Sequence, residues 1–196
     1  MRDPVQAQAV DDLVGAVAVV LVEVEDADAL RFARCVQRQG RHHQAVEGAK
    51  TAGAAVAGEA KRLGILDFDQ HYGDGTDQII DRLQIDWIVH YSAGEHYGAP
   101  SQARRFLSGI AGLVASMKDC DVILYQAGAD PHIDDPLGGW LTTAQLAERD
   151  WLVFKAAAEL GIPVAWNLAG GYQTPLRKVL EIHDGTMRVC VETYLG

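Results

Sequence analysis

The stretch Ile65-Leu66-Asp67-Phe68-Asp69-Gln70-His71-Tyr72-Gly73-Asp74-Gly75-Thr76 constrains the fold more than any other part of the chain. It opens with apolar residues suited to a buried parallel strand, then turns polar and runs into glycine. Side chains alternate along a strand, so Asp67 and Asp69 share a face, and His71 joins them if the extended path continues. Two carboxylates and an imidazole then converge at the C-terminal edge of a sheet, where open α/β folds bind ligands. Such a mixed set suits zinc, whereas magnesium prefers oxygen alone. The plain alternative is an acidic strand end with a solvated histidine, but neighbouring buried carboxylates are costly without a cation.

The remainder of the C-terminal part repeats this logic. Strand Gly64–Phe68 is followed by a helix over 76–83, a strand around Trp87-Ile88-Val89-His90, and a helix from an N-cap at Ser101 to about Lys118. Asp121–Tyr125 reads as the next strand, and Thr142 as the cap of a helix over Thr143–Leu160. Ile162–Leu168 is a further strand, leading to a helix over Pro175–Ile182 and a short amphipathic tail. Alternation of this kind predicts βαβ units, an α/β class and a mainly parallel sheet between helical layers. Residues 1–60 fit less well. Val14–Val24 reads as a strand and Ala27–Gln39 as a helix, but the Ala/Gly-rich run 45–60 offers few large side chains to bury.

The chemistry-bearing residues all follow strands. Asp69 and His71 follow the first clear strand, Asp130 the third and Tyr172 the fourth. Two aspartates and a histidine would give zinc three ligands and leave a position open. Gly170 and Gly171 would let the backbone approach the metal and substrate, and the Tyr172 hydroxyl could donate to an oxyanion. The bland readings are a turn aspartate before Pro131 and a packed loop tyrosine.

Bulk properties narrow the function classes. A net charge of −10 over 196 residues, without a long basic run, argues against direct nucleic-acid binding. The longest early apolar run, Leu13–Val22, has ten residues, about half a membrane span, and acidic flanks unlike a signal peptide. Cys35, Cys120 and Cys190 form no C-x-x-C pair, so a reducing cytoplasm is expected, with neither a disulfide framework nor a cysteine zinc site.

Asp67 to Thr76 resembles the D-x-D-x-H-x-G-[ND]-G-T signature of the histone deacetylase and acetylpolyamine amidohydrolase family. Gly128-Ala129-Asp130 with Asp134–Gly139 is similar to that family's second metal segment, and Ala169-Gly170-Gly171-Tyr172 to its glycine-glycine-tyrosine motif. The resemblance covers roughly residues 60–196. It implies a three-layer α/β/α, arginase/deacetylase-like fold, incomplete at the N-terminus, with a deacetylase-like metal-binding region over 61–196. It also implies Zn2+ on Asp69, His71 and Asp130, and Asp67 behind them orienting a catalytic histidine. Tyr172 would stabilise the tetrahedral intermediate, and a structural K+ would bind carbonyls around Asp67, Asp69 and His71. The implied substrate is a small acetylated amine, polyamine or acetyl-lysine, with no membrane partner and an oligomer left open.

The departure is upstream. The family's general base is one of a tandem histidine pair followed by an aromatic loop. Here His42-His43 lies only about two dozen residues before Asp67, without that loop, and reads as an incidental surface pair. An impaired deacetylase-like protein that binds metal without turnover is therefore the alternative. A haloacid-dehalogenase-type phosphatase, whose strand also ends in D-x-D, ranks below it because His71 has no task there.

Overall fold

The computed structural model describes residues 20–22 and 61–195. The strands are β1 (Val20–Val22), β2 (Leu63–Asp67), β3 (Ile88–Ser92), β4 (Val122–Gly128) and β5 (Val164–Ala169). The helices are α1 (Asp74–Leu83), α2 (Ala103–Ser116), α3 (Thr143–Leu160) and α4 (Arg177–Leu195). The sheet order is β1-β5-β4-β2-β3. Strands β2 to β5 are parallel, and β1 closes the β5 edge antiparallel, so the sheet is mainly parallel, as expected.

Chain direction reverses within this order. From β2 the chain moves outward to β3, then crosses back through α2 to β4 and through α3 to β5. Right-handed crossovers therefore put α1 on one face and α2 and α3 on the other, where α4 packs against α3. The layering is three-layer α/β/α.

Burial explains the helical layer. On α2 the buried positions Phe106, Ile110 and Val114 recur every four residues, and on α4 Val179, Ile182, Thr186 and Cys190 follow a similar spacing. Phe68, on the sheet face they cover, meets Phe106, Tyr125 and Tyr91 edge-on at centroid distances of 4.9, 5.7 and 6.3 Å. Each such aromatic pair adds about 0.5–1.5 kcal/mol beyond area burial. Phe68 thus locks the rotational phase of β2 and turns Asp67 and Asp69 to the opposite face. On that face Ser92, Asp67, Gln126 and Asn167 form a polar row, in register across the four parallel strands.

Several boundaries differ from the sequence expectation. Ser101 does not cap α2; it is exposed within a 3-10 turn, Pro100–Gln102. Gln102 stands at the N-cap position of α2 without a side-chain cap bond; its Oε1 accepts from Gly98 N and Ala99 N at 3.0 and 2.9 Å and so closes the 3-10 turn instead. The segment read as a short helix plus tail is one helix, α4, extending to Leu195. Gly185 costs it about 1 kcal/mol in its interior, and burial of Ile182, Thr186 and Cys190 offsets that cost. Thr142 does cap α3. Its Oγ1 accepts from Gln145 N, and Gln145 Oε1 accepts from Thr142 N, a reciprocal capping box. The helix expected over 27–39 and the His42-His43 pair lie outside the described residues.

Candidate metal centre

The ends of β2 and β4 bring Asp69, His71 and Asp130 together. One ligand atom from each lies within 4.8 Å of the others. His71 Nδ1 is 3.0 Å from Asp130 Oδ2 and 3.9 Å from Asp69 Oδ1. The contact with Asp130 lacks hydrogen-bond alignment, and Asp130 Oδ2 is a buried oxygen without a hydrogen-bond partner. A buried carboxylate oxygen facing an imidazole nitrogen and a second carboxylate is what a shared cation would satisfy. The donor set, two oxygens and one nitrogen, fits zinc.

The loop is folded by its own backbone. His71 N donates to Asp69 Oδ1 at 2.7 Å and Asp69 N to Asp67 Oδ1 at 3.1 Å, two successive Asx-type turns. Gln70 N donates across to Asp130 Oδ1 at 3.2 Å. Gln126 Nε2 bridges Asp67 Oδ1 and Asp69 Oδ2 at 3.2 and 2.8 Å. Its register partner on β2 is Asp67 itself. Gln126 carried no signal in the sequence, where it follows the strand expected over Asp121–Tyr125; β4 runs on to Gly128, and only the register reveals the role of Gln126.

Glycines make room. A Cβ on Gly170 (φ 60°) would lie 2.5 Å from the Asp130 carboxyl carbon, and one on Gly128 would lie 2.5 Å from Asp69 Cβ. Gly171 (φ 100°) passes equally close to Val179. What the backbone of Gly170 approaches closely is the Asp130 carboxylate.

Burial and crowding raise the carboxylate pKa values. Asp67 is pushed well above the usual range by burial and then by the charge of Asp69. Asp69 is raised mainly by burial. Asp130, fully buried, is raised to about 6 by burial and by Asp69. Three carboxylates of this kind hold negative charge poorly until a cation arrives.

Tyr172 stands at the rim, 52% exposed, its ring edge-on to His71 at 6.3 Å. Its backbone N donates to buried Asp135 Oδ2 at 2.8 Å, while Leu137 N donates to Oδ1 at 3.0 Å. The loop 134–139, which reads in sequence as an acidic turn or a metal segment, thus anchors the glycine-glycine-tyrosine loop.

No protein-family model matches the sequence. An uncharacterized protein of Picosynechococcus sp. (strain ATCC 27264 / PCC 7002 / PR-6) is 30% identical over 158 residues, covering 70% of this chain and 51% of that protein. The chain thus spans about half the length of this curated relative. Among solved structures, the HDA15 HD domain, a histone deacetylase domain, superposes with a TM-score of 0.58 at 19% identity. The match covers 74% of this chain and 48% of that one. The fold is deacetylase-like. Among the described residues, no helix is long and apolar enough to cross a membrane.

Proposed function

We propose that residues 61–196 form the core of a zinc-dependent deacetylase acting on a small acetylated amine, polyamine or acetyl-lysine. The observation that carries this reading is the convergence of Asp69, exposed His71 and fully buried Asp130 at the strand ends of a deacetylase-like fold. Asp69, His71 and Asp130 would hold the ion, which when bound polarises an amide carbonyl and acidifies water.

The chain's own residues do the rest. Asp67, fixed by Gln126, presents a buried carboxylate that would orient an imidazole arriving from outside the described residues. With 4% exposure it is a poor nucleophile, which speaks against the phosphatase alternative. Tyr172, held by Asp135, would donate its hydroxyl to the developing oxyanion. Its phenol is raised above the ordinary value, first by burial and then by Asp130 and Asp69, so it keeps its proton for donation. Gly170 and Gly171 would leave the substrate amide space beside Asp130. A structural potassium would have to share the Asp67 and His71 carbonyls, which already accept from Ala93 N at 2.8 Å and Ser92 Oγ at 3.3 Å.

The test is acetate release by the full chain, supplied with Zn2+, from an acetyl-lysine reporter and from an acetylated polyamine. Release that stops on chelation and in Asp130→Ala supports the proposal. Zinc binding without release from either substrate would leave the metal site and remove the activity. No zinc binding would overturn both.

A further inference from the structure

Beneath the candidate site lies a buried ionic network that the chemistry above does not use. Arg149, on α3, has no solvent exposure. Its Nε donates to Asp150 Oδ1 at 2.8 Å, and its Nη1 donates to two main-chain carbonyls, Phe68 O at 3.1 Å and Gly128 O at 2.7 Å. Tyr125 from β4 also donates to Asp150 Oδ1, and Thr186 from α4 donates to Asp150 Oδ2 at 2.6 Å. Burying a guanidinium is expensive, and an apolar helix face would serve packing as well. The two carbonyls indicate what the guanidinium does there.

Phe68 immediately precedes Asp69, and Gly128 lies two residues before Asp130. Asp67 and Gln126 form the last paired register of β2 with β4. Past it β2 and β4 no longer pair with each other, although β4 stays paired with β5 as far as Gly128, so carbonyls on their facing edges need partners from elsewhere. One nitrogen of Arg149 supplies both, and so fixes how far apart the two strand ends stand. These strand ends lead directly into Asp69 and Asp130, the two carboxylates whose ligand atoms gather with that of His71.

The geometry points to Arg149 as a positioning residue for the metal centre: by bridging the Phe68 and Gly128 carbonyls it sets the separation of Asp69 and Asp130 that the ion requires. Asp150 holds the guanidinium in place and neutralises it, and Tyr125 and Thr186 hold Asp150. This inference rests on the metal reading above but not on catalytic activity. It extends the site into α3, to a residue that never touches the ion. Supporting groups behind metal ligands commonly change affinity by about 10–100-fold.

The test uses the full chain, Zn2+ competed against a chromophoric chelator, and the visible absorption of the Co2+ form as a reporter of ligand geometry. Asp150→Asn is the control. Its amide oxygen can still accept from Arg149 Nε and Tyr125, and the Thr186 hydroxyl can rotate to accept from the new amide. It should melt lower, because the buried guanidinium loses its counter-charge, and should lose less Zn2+ affinity than the variant that also lacks the guanidinium. Arg149→Met on that background leaves no orphaned charge, and should weaken Zn2+ by about 10-fold or more relative to Asp150→Asn and alter the Co2+ spectrum. Arg149→Lys keeps the charge but not the planar fork, and should remain weaker than wild type.

Equal Zn2+ affinity and an unchanged Co2+ spectrum in Arg149→Met/Asp150→Asn and Asp150→Asn would overturn the inference. Full wild-type affinity in Arg149→Lys would overturn it too. So would an equal loss in Asp150→Asn alone, since that would make the network merely structural. A wild-type chain that binds no Zn2+ would remove the metal reading itself and this inference with it.

Discussion

Gly170→Ala separates backbone strain from damage to the centre. Gly170 has φ 60°, and its new Cβ would stand 2.5 Å from Asp130 Cγ and Oδ1 and 2.7 Å from Oδ2. Asp130 is fully buried and its Oδ1 is tied to Gln70 N, so it cannot swing aside freely. An L-residue in the left-handed region costs about 1–2 kcal/mol. Ordinary carbon contacts are about 3.5–4.0 Å, so roughly 1 Å of displacement is also required. Overpacking of this kind typically costs about 1–3 kcal/mol. The sum is about 2–5 kcal/mol.

Gly161→Ala supplies the comparison. It has φ 67°, ends α3, and its Cβ would meet nothing within 4 Å, so it carries only the backbone cost. Each kcal/mol shifts Tm by about 2–4 °C in a chain of this size. Thermal melts should therefore rank Gly170→Ala below Gly161→Ala. Chelator competition should show weaker zinc binding, by about 10-fold or more, in Gly170→Ala alone. Two variants equal in both Tm and zinc affinity would refute the placement of Gly170 against a metal ligand.

Other consequences follow from the same geometry. Asp130, raised to about 6, is protonated more readily folded than unfolded, so without metal its contribution to stability is present at low pH and is lost as pH rises through about 6. That loss is on the order of 3 kcal/mol, and urea melts in chelator between pH 4 and 7 should show it shrinking in Asp130→Asn and in excess zinc. Stability that rises through this window equally in wild type and Asp130→Asn would contradict it. If the chain turns over acetyl-lysine, Tyr172→Phe should lower kcat by about 10²–10³ while zinc and hydroxamate binding persist; full activity would remove Tyr172 from the mechanism. Thr142→Ala should lose the α3 capping box at a cost of about 1 kcal/mol, read in denaturant melts, with zinc affinity unchanged.

Much of this was legible from local patterns. The alternation through Asp67, Phe68 and Asp69 announces a strand with one apolar and one acidic face, and the packing of Phe68 against Phe106 and Tyr125 realises it. Thr142 as a cap marks the start of α3, and the helix expected over Thr143–Leu160 has those bounds. What escaped depends on tertiary partners. Arg149-Asp150 within a helix reads as a solvated pair, because such residues are seldom fully buried, and only the two unpaired strand-end carbonyls explain their burial. Gln126 gains its role from register opposite Asp67, and Asp135 from a loop 37 residues away. The last helix, expected over 175–182, runs on to Leu195 because packing against α3 offsets the cost of Gly185 in its interior.

Zinc-edge anomalous diffraction from crystals of the full chain grown with Zn2+ tests the central claim most directly. The account predicts one strong peak at about 2.0–2.2 Å from His71 Nδ1 and from one carboxylate oxygen each of Asp69 and Asp130, absent in Asp130→Ala. Zinc bound elsewhere, or a peak at that position undiminished in Asp130→Ala, would contradict it.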